Sequence, residues 1–474
     1  MPAWILSIPM IVIVGIGPFA GFGIRALPSS ALVLWGLSTL AAVLVAARFR
    51  RIDAQTLWIW IVLALLVVGY FAKTFYAAQW LFEFKSLTDL NPEWSDFDKS
   101  DLLTGYQVTC AAFVLFVLGA IASLQGEPRP EEIQHGTLRP RMALAGILVI
   151  VLLLAPLRGF LGIGVMGVES EELPYGISTL IFRAQSTLIP ALLLVLVWSG
   201  ERRGDRLLSM LATLLLGVHL VVMAAVSASK AGLFYFAAYM LCLWIISARL
   251  TRLRQVILGA VGVAALAFFV LGADLRVLRI EGLSLADAIE ALQQGSEISA
   301  SARLDQGLRA LFLRISGADG LWFVLGDHGY SVPLIGRWQA IWATSLRDFF
   351  TRDIVGVVWL LDFRSPGFVA ALIMVLGLAG VALCVMIGPV IAALWRTLGS
   401  LPGAPALRAF FAVFLLQTLM EGIFRWQDLI AFSLAILVAV LFAIWLRGGS
   451  VAFLMRDLVT TFRTAVSGQH ARGA

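Results

Sequence analysis

Charged side chains are scarce in this chain: lysine, arginine, aspartate and glutamate make up 14% of its 474 residues, against 60% hydrophobic residues. A soluble globular protein has about 25% charged and roughly 45–50% apolar residues, so the composition excludes a soluble domain. Alternating strands of about ten residues are also missing, which argues against an outer-membrane barrel. What remains is a series of apolar runs that reach the roughly 20 residues needed to cross a bilayer as a helix.

Cysteine and histidine are scarce too, with three and four residues respectively. Cys110, Cys242 and Cys384 all fall inside apolar runs and show no metal-ligand spacing, so we expect three small buried thiols. His219 lies in the middle of an apolar run, where we expect a packed, hydrogen-bonded side chain. Because the sequence also has no glycine-rich phosphate loop, we expect no cofactor, no metal ion and no nucleic-acid partner.

The apolar runs predict an all-α polytopic integral membrane protein with about twelve transmembrane helices. The predicted spans are residues 4–22, 31–47, 56–72, 105–124, 142–160, 176–199, 207–226, 231–248, 255–273, 366–395, 406–424 and 428–446. The resulting segments are 1–273 with helices one to nine, a long connection 274–365, 366–447 with helices ten to twelve, and a tail 448–474.

Basic residues set the orientation of these spans. With the N-terminus in the cytoplasm, every strongly basic short connection falls on the cytoplasmic side together with the tail, as the positive-inside bias requires. These connections are 48–51, 128–141, 201–206, 249–254 and 395–408. The connection 274–365 then lies outside. We expect it to be a large extracytoplasmic loop of interface helices, one of them running from Arg303 to Ile315.

Several cations are expected on the outer side, where short loops usually avoid them. Arg183 lies about 10 Å inside the outer end of its span, where it either lines a polar cavity or reaches the outer headgroups. The other candidates are Arg158, Lys230, Arg303, Arg314 and Arg425. Arginine forks match phosphate oxygens, so this set predicts a site for a lipid-linked phosphate or pyrophosphate. The alternative for Arg303 and Arg314 is a solvated helix face.

Several carboxylates and one histidine are candidate bases. Gln417, Glu421 and Arg425 share one helix face, which indicates either a local ion pair at a helix end or a carboxylate held beside a cation in a polar cleft. The long loop adds four aspartates that the sequence does not rank, Asp319, Asp327, Asp348 and Asp362. His328, in the turn "GDHGYS", is either a further base or a surface residue.

Two segments and the arrangement of spans resemble the Wzy-type oligosaccharide repeat-unit polymerases and their relatives, the O-antigen ligases. The segment "SASKAGLFYF" (226–235) stands where these proteins typically have a serine–arginine–small turn, with Lys230 here in place of the arginine. The segment "RISGADGL" (314–321) is similar to the arginine–glycine–aspartate segment of polymerase loops. As architecture, the resemblance covers most of the chain: about a dozen spans, cytoplasmic ends and one dominant outer loop.

This resemblance implies a metal-independent glycosyltransferase of the bacterial inner membrane with its active site facing the periplasm. A growing glycan on undecaprenyl pyrophosphate would be transferred to a sugar hydroxyl of a new lipid-linked repeat unit. The implied partners besides membrane lipid are a chain-length regulator and an export complex. Arg183, Lys230, Arg303 and Arg314 would bind the pyrophosphate, with Arg158 and Arg425 as further substrate-binding residues. Glu421 or Asp319 would deprotonate the acceptor hydroxyl.

Three other functions stay open. An O-antigen ligase would move the same glycan to a lipid A-core acceptor and would rely on a histidine in the large loop, which makes His328 the discriminating residue. A flippase or transporter of lipid-linked sugars would show internal pseudo-symmetry and helices broken near mid-membrane, and the sequence shows neither clearly. A scaffold within a polysaccharide export complex would need none of the outer arginines.

Overall fold

The computed structural model describes residues 1–23, 27–82, 97–123, 139–161, 163, 177–226, 232–265, 317–326, 367–421 and 426–446. These parts of the chain form helices and their short connections, with one isolated β-bridge between Pro2 and Arg51. The prediction of an all-α membrane protein is confirmed in this coarse form.

The helices follow one another along the chain, with two π-helical stretches among them. In chain order they are α1 (Trp4–Gly21), α2 (Ser29–Arg48), α3 (Leu57–Leu65), a π-helical stretch (Leu66–Ala72), α4 (Lys73–Phe82), α5 (Lys99–Ala122), α6 (Arg139–Phe160), α7 (Ile177–Arg183), a second π-helical stretch (Ala184–Leu188), α8 (Ile189–Arg203), α9 (Arg206–Val226), α10 (Gly232–Ile246), α11 (252–265), α12 (Ala318–Leu325), α13 (Phe368–Leu376), α14 (Ala379–Ala382), α15 (Cys384–Ser400), α16 (Ala404–Glu421) and α17 (Trp426–Leu446).

Eight segments in the described ranges are long and apolar enough to cross a membrane. They are Trp4–Gly21, Ser29–Arg48, Leu57–Leu81, Lys99–Ala122, Arg139–Arg158, Leu180–Arg203, Arg206–Ala224 and Leu429–Leu446. Three further apolar helices, α10, α15 and α16, are shorter. Each of these segments overlaps a predicted span, while the total of about twelve remains a prediction.

The predicted third span, 56–72, ends too early. Its helix continues through the π-helical stretch 66–72 into α4, so that Leu57–Leu81 forms one candidate span. The run "GYFAKTFYAAQWLF" (69–82) is apolar on both sides of Lys73, and the prediction stopped one residue before that lysine. The corrected boundary places a cation inside a membrane segment.

The predicted tenth span, 366–395, is not one continuous helix. Helix α13 ends at Leu376, Gly377 has a φ of 64°, and the chain resumes through the short α14 into α15. A positive φ is the left-handed region that glycine adopts without a steric penalty, so Gly377 ends the helix. The expected continuous helix is therefore interrupted in this part of the chain, because hydropathy records apolarity and not backbone conformation.

The chain divides into two compact units. The first contains Met1–Gly126, Ala310–Leu394 and Phe414–Trp426, and the second contains Glu127–Arg309, Trp395–Val413 and Gln427–Ala474. In the first unit, α1 packs on α2 and α4, and α2 packs on α5. In the second, α8 packs on α9, and α9 on α6 and α10.

Basic residues gather at one end of the second unit. Three contacts join the start of α6, the end of α8 and the end of α17: Arg139 donates to the carbonyl of Trp445, Arg203 donates to the carbonyl of Leu446, and Arg141 pairs with Asp205 at 3.0 Å. The start of α6, the end of α8 and the end of α17 therefore lie together.

Gly119 of α5 marks a close approach between two helices of the first unit. A Cβ atom at this position would overlap the carbonyl oxygen of Val385, and a Cβ atom at Gly388 of α15 would overlap the backbone of Gly119 and Ala120. Small residues allow membrane helices to approach in this way.

We expect Gly119→Ala to destabilise the protein by about 1–3 kcal/mol, because a backbone carbonyl cannot swing aside as a side-chain tip can. Gly36→Ala on α2 is the matched control, since nothing lies within 4 Å of that position, and it should be neutral or slightly stabilising. Thermal unfolding of the two purified variants in detergent checks this. Equal melting temperatures for both variants would contradict the close approach.

Candidate functional site

A buried ion pair joins a transmembrane helix to the predicted outer loop within the first unit. The Nζ atom of Lys73, at the start of α4, donates to Oδ1 of Asp319, in the first turn of α12, at 2.9 Å. The lysine side chain is 0% exposed and the aspartate side chain 15% exposed. A buried ammonium is costly unless an opposite charge lies beside it, so each member of the pair holds the other in place.

Glycines allow the loop segment to reach Lys73. Gly317, the residue before α12, lies so close to the carbonyl group of Gly69 that any Cβ would overlap it. Gly69 belongs to the π-helical stretch just before Lys73, and such a widened turn frequently marks a functional position in a helix. The local sequence therefore brings the backbone of the loop directly against the span that carries the lysine.

Helix α12 is packed among membrane helices of the first unit. Trp322 is fully buried against Gly105 of α5, and Phe97 contacts the rings of both Trp322 and Phe323. Helix α13 is tied to the same region, because Tyr70 accepts a hydrogen bond from the backbone N–H of Val369 at 3.0 Å. The rest of the predicted loop 274–365, including Arg303 to Ile315, lies outside the described residues.

The geometry leaves part of the Asp319 carboxylate available. Lys73 is fully buried among the helices, whereas Asp319 keeps some exposed surface. Across the described ranges, Lys73 is the one residue that donates a hydrogen bond to this carboxylate, and it does so to Oδ1. Oδ2 can then accept a hydrogen bond from a hydroxyl group of a ligand. A carboxylate that has one oxygen anchored and keeps some exposed surface can bind a sugar hydroxyl or take its proton.

A second polar cluster lies in the second unit, around the buried Arg158 of α6. Its Nε atom donates to the carbonyl of Ile163 at 2.7 Å, and its guanidinium lies 5.0 Å from the centre of the Phe182 ring. One guanidinium nitrogen lies 3.5 Å from the side-chain oxygen of Gln185. The backbone carbonyl of Gln185 accepts a 2.8 Å hydrogen bond from Nε2 of His219. The prediction of a packed, hydrogen-bonded His219 is confirmed.

Arg183 lies beside this cluster and is partly exposed. Its guanidinium lies 5.5 Å from the centre of the same Phe182 ring, so one aromatic ring neighbours both arginines. The structure thus brings together Arg158 and Arg183, two of the predicted substrate-binding residues. Protein contacts enclose Arg158, so a substrate would have to displace some of them to reach it, whereas Arg183 retains accessible surface.

The other predicted site residues are not described with their side chains. Lys230, Arg303, Arg314, Arg425 and His328 lie outside the described residues, and Glu421 ends α16 with a side chain that is also outside them. Their roles stay predictions. Asp319 is the predicted catalytic residue whose contacts the structure describes.

Lys73 is the site residue that the sequence analysis missed. A signal was present, because a lone lysine inside an apolar run that continues to Phe82 requires a polar partner. The sequence could not identify that partner, since Asp319 lies 246 residues further along the chain.

Within the described ranges, no group of three or more histidine, cysteine, aspartate or glutamate side chains is placed to hold a metal ion. The three cysteines are free and buried, as predicted.

No family model, no curated protein and no solved structure matches the chain.

Proposed function

We propose that this protein is a polymerase that joins undecaprenyl-pyrophosphate-linked oligosaccharide repeat units into a bacterial surface polysaccharide or exopolysaccharide. The reaction would take place at the outer face of the inner membrane. The observation that carries the proposal is the position of Asp319. This residue belongs to the segment 314–321 that resembles a polymerase loop, and the buried Lys73 anchors its carboxylate among membrane helices. Catalytic groups need such anchoring, because their distance to the reacting atoms decides the rate.

In the proposed reaction, a hydroxyl oxygen of the new repeat unit attacks the anomeric carbon of the growing glycan. A bond forms between these two atoms, and the bond from that carbon to undecaprenyl pyrophosphate breaks. The pyrophosphate leaves with the electron pair. The proton of the acceptor hydroxyl passes to a base, which we assign to Oδ2 of Asp319, with Glu421 as the alternative.

We propose that the predicted outer cations stabilise the negative charge of the leaving group. Pyrophosphate develops charge as it departs, and cations placed beforehand stabilise that charge without rearranging. The assigned residues are Arg183, Lys230, Arg303 and Arg314, with Arg158 and Arg425 as further contacts. The partial exposure of Arg183 supports its place in this set, because an arginine at membrane depth is tolerated where it faces polar surroundings or a ligand.

His328 separates the polymerase from the related ligase. A ligase would depend on a loop histidine, so His328→Ala would remove transfer to a lipid A-core acceptor. Under the polymerase proposal we expect His328→Ala to retain polymer of wild-type length. Polymer from cells that carry this variant, read on a gel beside wild type with a blot for protein abundance, checks the expectation. Complete loss of product at normal abundance would favour the ligase.

A flippase or transporter of lipid-linked sugars is the second candidate, and one observation favours it. The chain is broken at Gly377 between α13 and α14, and π-helical stretches interrupt two spans at 66–72 and 184–188. Discontinuous helices often form transporter binding sites, because they place backbone groups inside the membrane.

Deletion of the gene, followed by analysis of lipid-linked glycans, distinguishes these functions. The polymerase proposal predicts that single repeat units on undecaprenyl pyrophosphate accumulate on the outer side of the membrane. Full-length polymer stranded on undecaprenyl would indicate a ligase instead. Single units trapped in the inner leaflet would indicate a flippase, and unchanged polymer would contradict all three.

A further inference from the structure

An apolar groove lies on the second unit, between α9, α10 and α11. Its volume is about 1050 Å³, and along α9 it is lined from Arg206 to Val222, which is roughly 24 Å at the helical rise per residue. Its walls are mostly apolar, and Leu214, Val218 and Ile257 keep exposed surface in it. A long apolar groove on a membrane helix bundle is suited to a hydrocarbon chain.

One end of the groove is strongly basic. Arg206, Arg249 and Arg254 line it together with Glu201, so three positive charges against one negative charge leave a net charge of +2. Arg254 is fixed in place, because it pairs with Glu201 at 2.7 Å and stacks on Trp244 at 4.6 Å. Arg206 is exposed, and no ion pair joins it to another residue in the described part of the chain.

Glu201 supplies a second, independent observation. Its side chain is 4% exposed, and Oε1 accepts hydrogen bonds from Arg254 and from the indole N–H of Trp244. Oε2 is buried and accepts no hydrogen bond from any described residue, with the nearby Arg249 at 4.0 Å. Buried carboxylate oxygens rarely lack a hydrogen-bond donor. The unpaired Oε2 atom therefore favours a ligand that places a donor group in the groove.

We propose that the groove binds an anionic glycerophospholipid of the phosphatidylglycerol type. Its phosphate would lie beside Arg206 and Arg249, a headgroup hydroxyl would donate to Oε2 of Glu201, and an acyl chain would fill the groove. The net charge of +2 favours a headgroup of charge −1 over a zwitterionic one. An ammonium headgroup would approach three arginines, and a choline headgroup has no hydrogen-bond donor for Glu201. Of the proposed polymerase residues that the structure describes, none lines this groove.

Native mass spectrometry of the purified full-length protein in detergent tests the proposal. The protein is titrated with dioleoyl-phosphatidylglycerol, dioleoyl-phosphatidylethanolamine and dioleoyl-phosphatidylcholine in turn. We expect phosphatidylglycerol to bind most tightly. Arg206→Ala should weaken its binding roughly tenfold, the scale of one charge-assisted hydrogen bond. Arg252→Ala, an exposed cation at the start of α11 that does not line the groove, is the matched control and should keep wild-type affinity.

A groove-filling variant tests the acyl-chain part of the proposal. Leu214→Trp adds bulk at an exposed position of the groove wall, so it should reduce phosphatidylglycerol binding without unfolding the protein. Melting temperatures of all variants in lipid-free detergent confirm that they are folded. Equal wild-type affinity for phosphatidylglycerol and phosphatidylcholine would overturn the proposal. Tighter binding of phosphatidylethanolamine, or equal phosphatidylglycerol affinity in Arg206→Ala and Arg252→Ala, would overturn it as well.

Discussion

Replacing Asp319 by alanine is expected to destabilise the protein by roughly 3–5 kcal/mol, because it removes the negative charge beside the buried ammonium of Lys73. Lys73→Met should destabilise it by a similar amount, since it leaves the carboxylate facing an apolar side chain. Lys99→Met is the matched control, because Lys99 is exposed at the start of α5, and there we expect a change within about 0.5 kcal/mol. Thermal unfolding in detergent measures all three variants.

The double variant Lys73→Met/Asp319→Leu separates the structural role of the pair from its proposed chemical role. Replacing a buried ion pair by apolar residues of similar volume is often neutral or stabilising, so the double variant should recover most of the wild-type melting temperature. It should still make no polymer, because the proposed base is gone. Wild-type polymer from a folded double variant would remove Asp319 from the reaction and leave the pair a structural role alone.

Arg314→Ala is expected to abolish long polymer, to leave lipid-linked single repeats and to keep protein abundance at the wild-type level. The physical reason is that the assigned cation would no longer stabilise the departing pyrophosphate. Arg314→Lys should recover part of the activity, because lysine restores the charge but not the two-pronged geometry of the guanidinium. Polymer length on one gel, read beside a membrane-abundance blot, measures all strains.

Arg252→Ala serves as the control for Arg314→Ala, because it removes an exposed arginine from the start of α11, outside the proposed site. It should leave polymer length unchanged. If Arg314 is merely solvated, the protein should tolerate both Arg314→Ala and Arg314→Lys, since surface changes usually shift stability by less than about 0.5 kcal/mol. Wild-type polymer lengths in Arg314→Ala would therefore exclude the pyrophosphate role.

Apolar periodicity and length were sufficient to predict the long spans. The predicted spans 4–22, 142–160 and 207–226 lie close to α1, α6 and α9, because hydrocarbon thickness and helical rise together fix how many apolar residues a span needs. The same reasoning failed at Lys73 and at Gly377. A charge inside a span requires a partner that lies far away in the sequence. A helix break depends on the φ angle of one residue. Neither is visible in local hydropathy.

The candidate site was predictable in its residue types but not in its pairings. Arg183 was identified because a charge inside a membrane span is costly, and Arg158 because it is a cation at the outer end of a span. Asp319 was identified as a carboxylate of the long loop that could act as a base. Their contacts depend on tertiary structure: Phe182 neighbours both arginines, and Lys73 anchors the aspartate. The general packing of His219 could be predicted from its apolar surroundings, whereas its bond to the carbonyl of Gln185 could not.

Reconstitution tests the proposed activity most directly. The purified protein in liposomes is supplied with undecaprenyl-pyrophosphate-linked single repeat units and no nucleotide sugar, and the products are separated by length on a gel. The folded Lys73→Met/Asp319→Leu variant serves as the control. We predict that the wild type converts single units into a ladder of longer lipid-linked glycans with release of undecaprenyl pyrophosphate, and that the variant leaves single units unchanged. Single units left unchanged by the folded wild-type protein, with no undecaprenyl pyrophosphate released, would contradict the assignment as a polymerase.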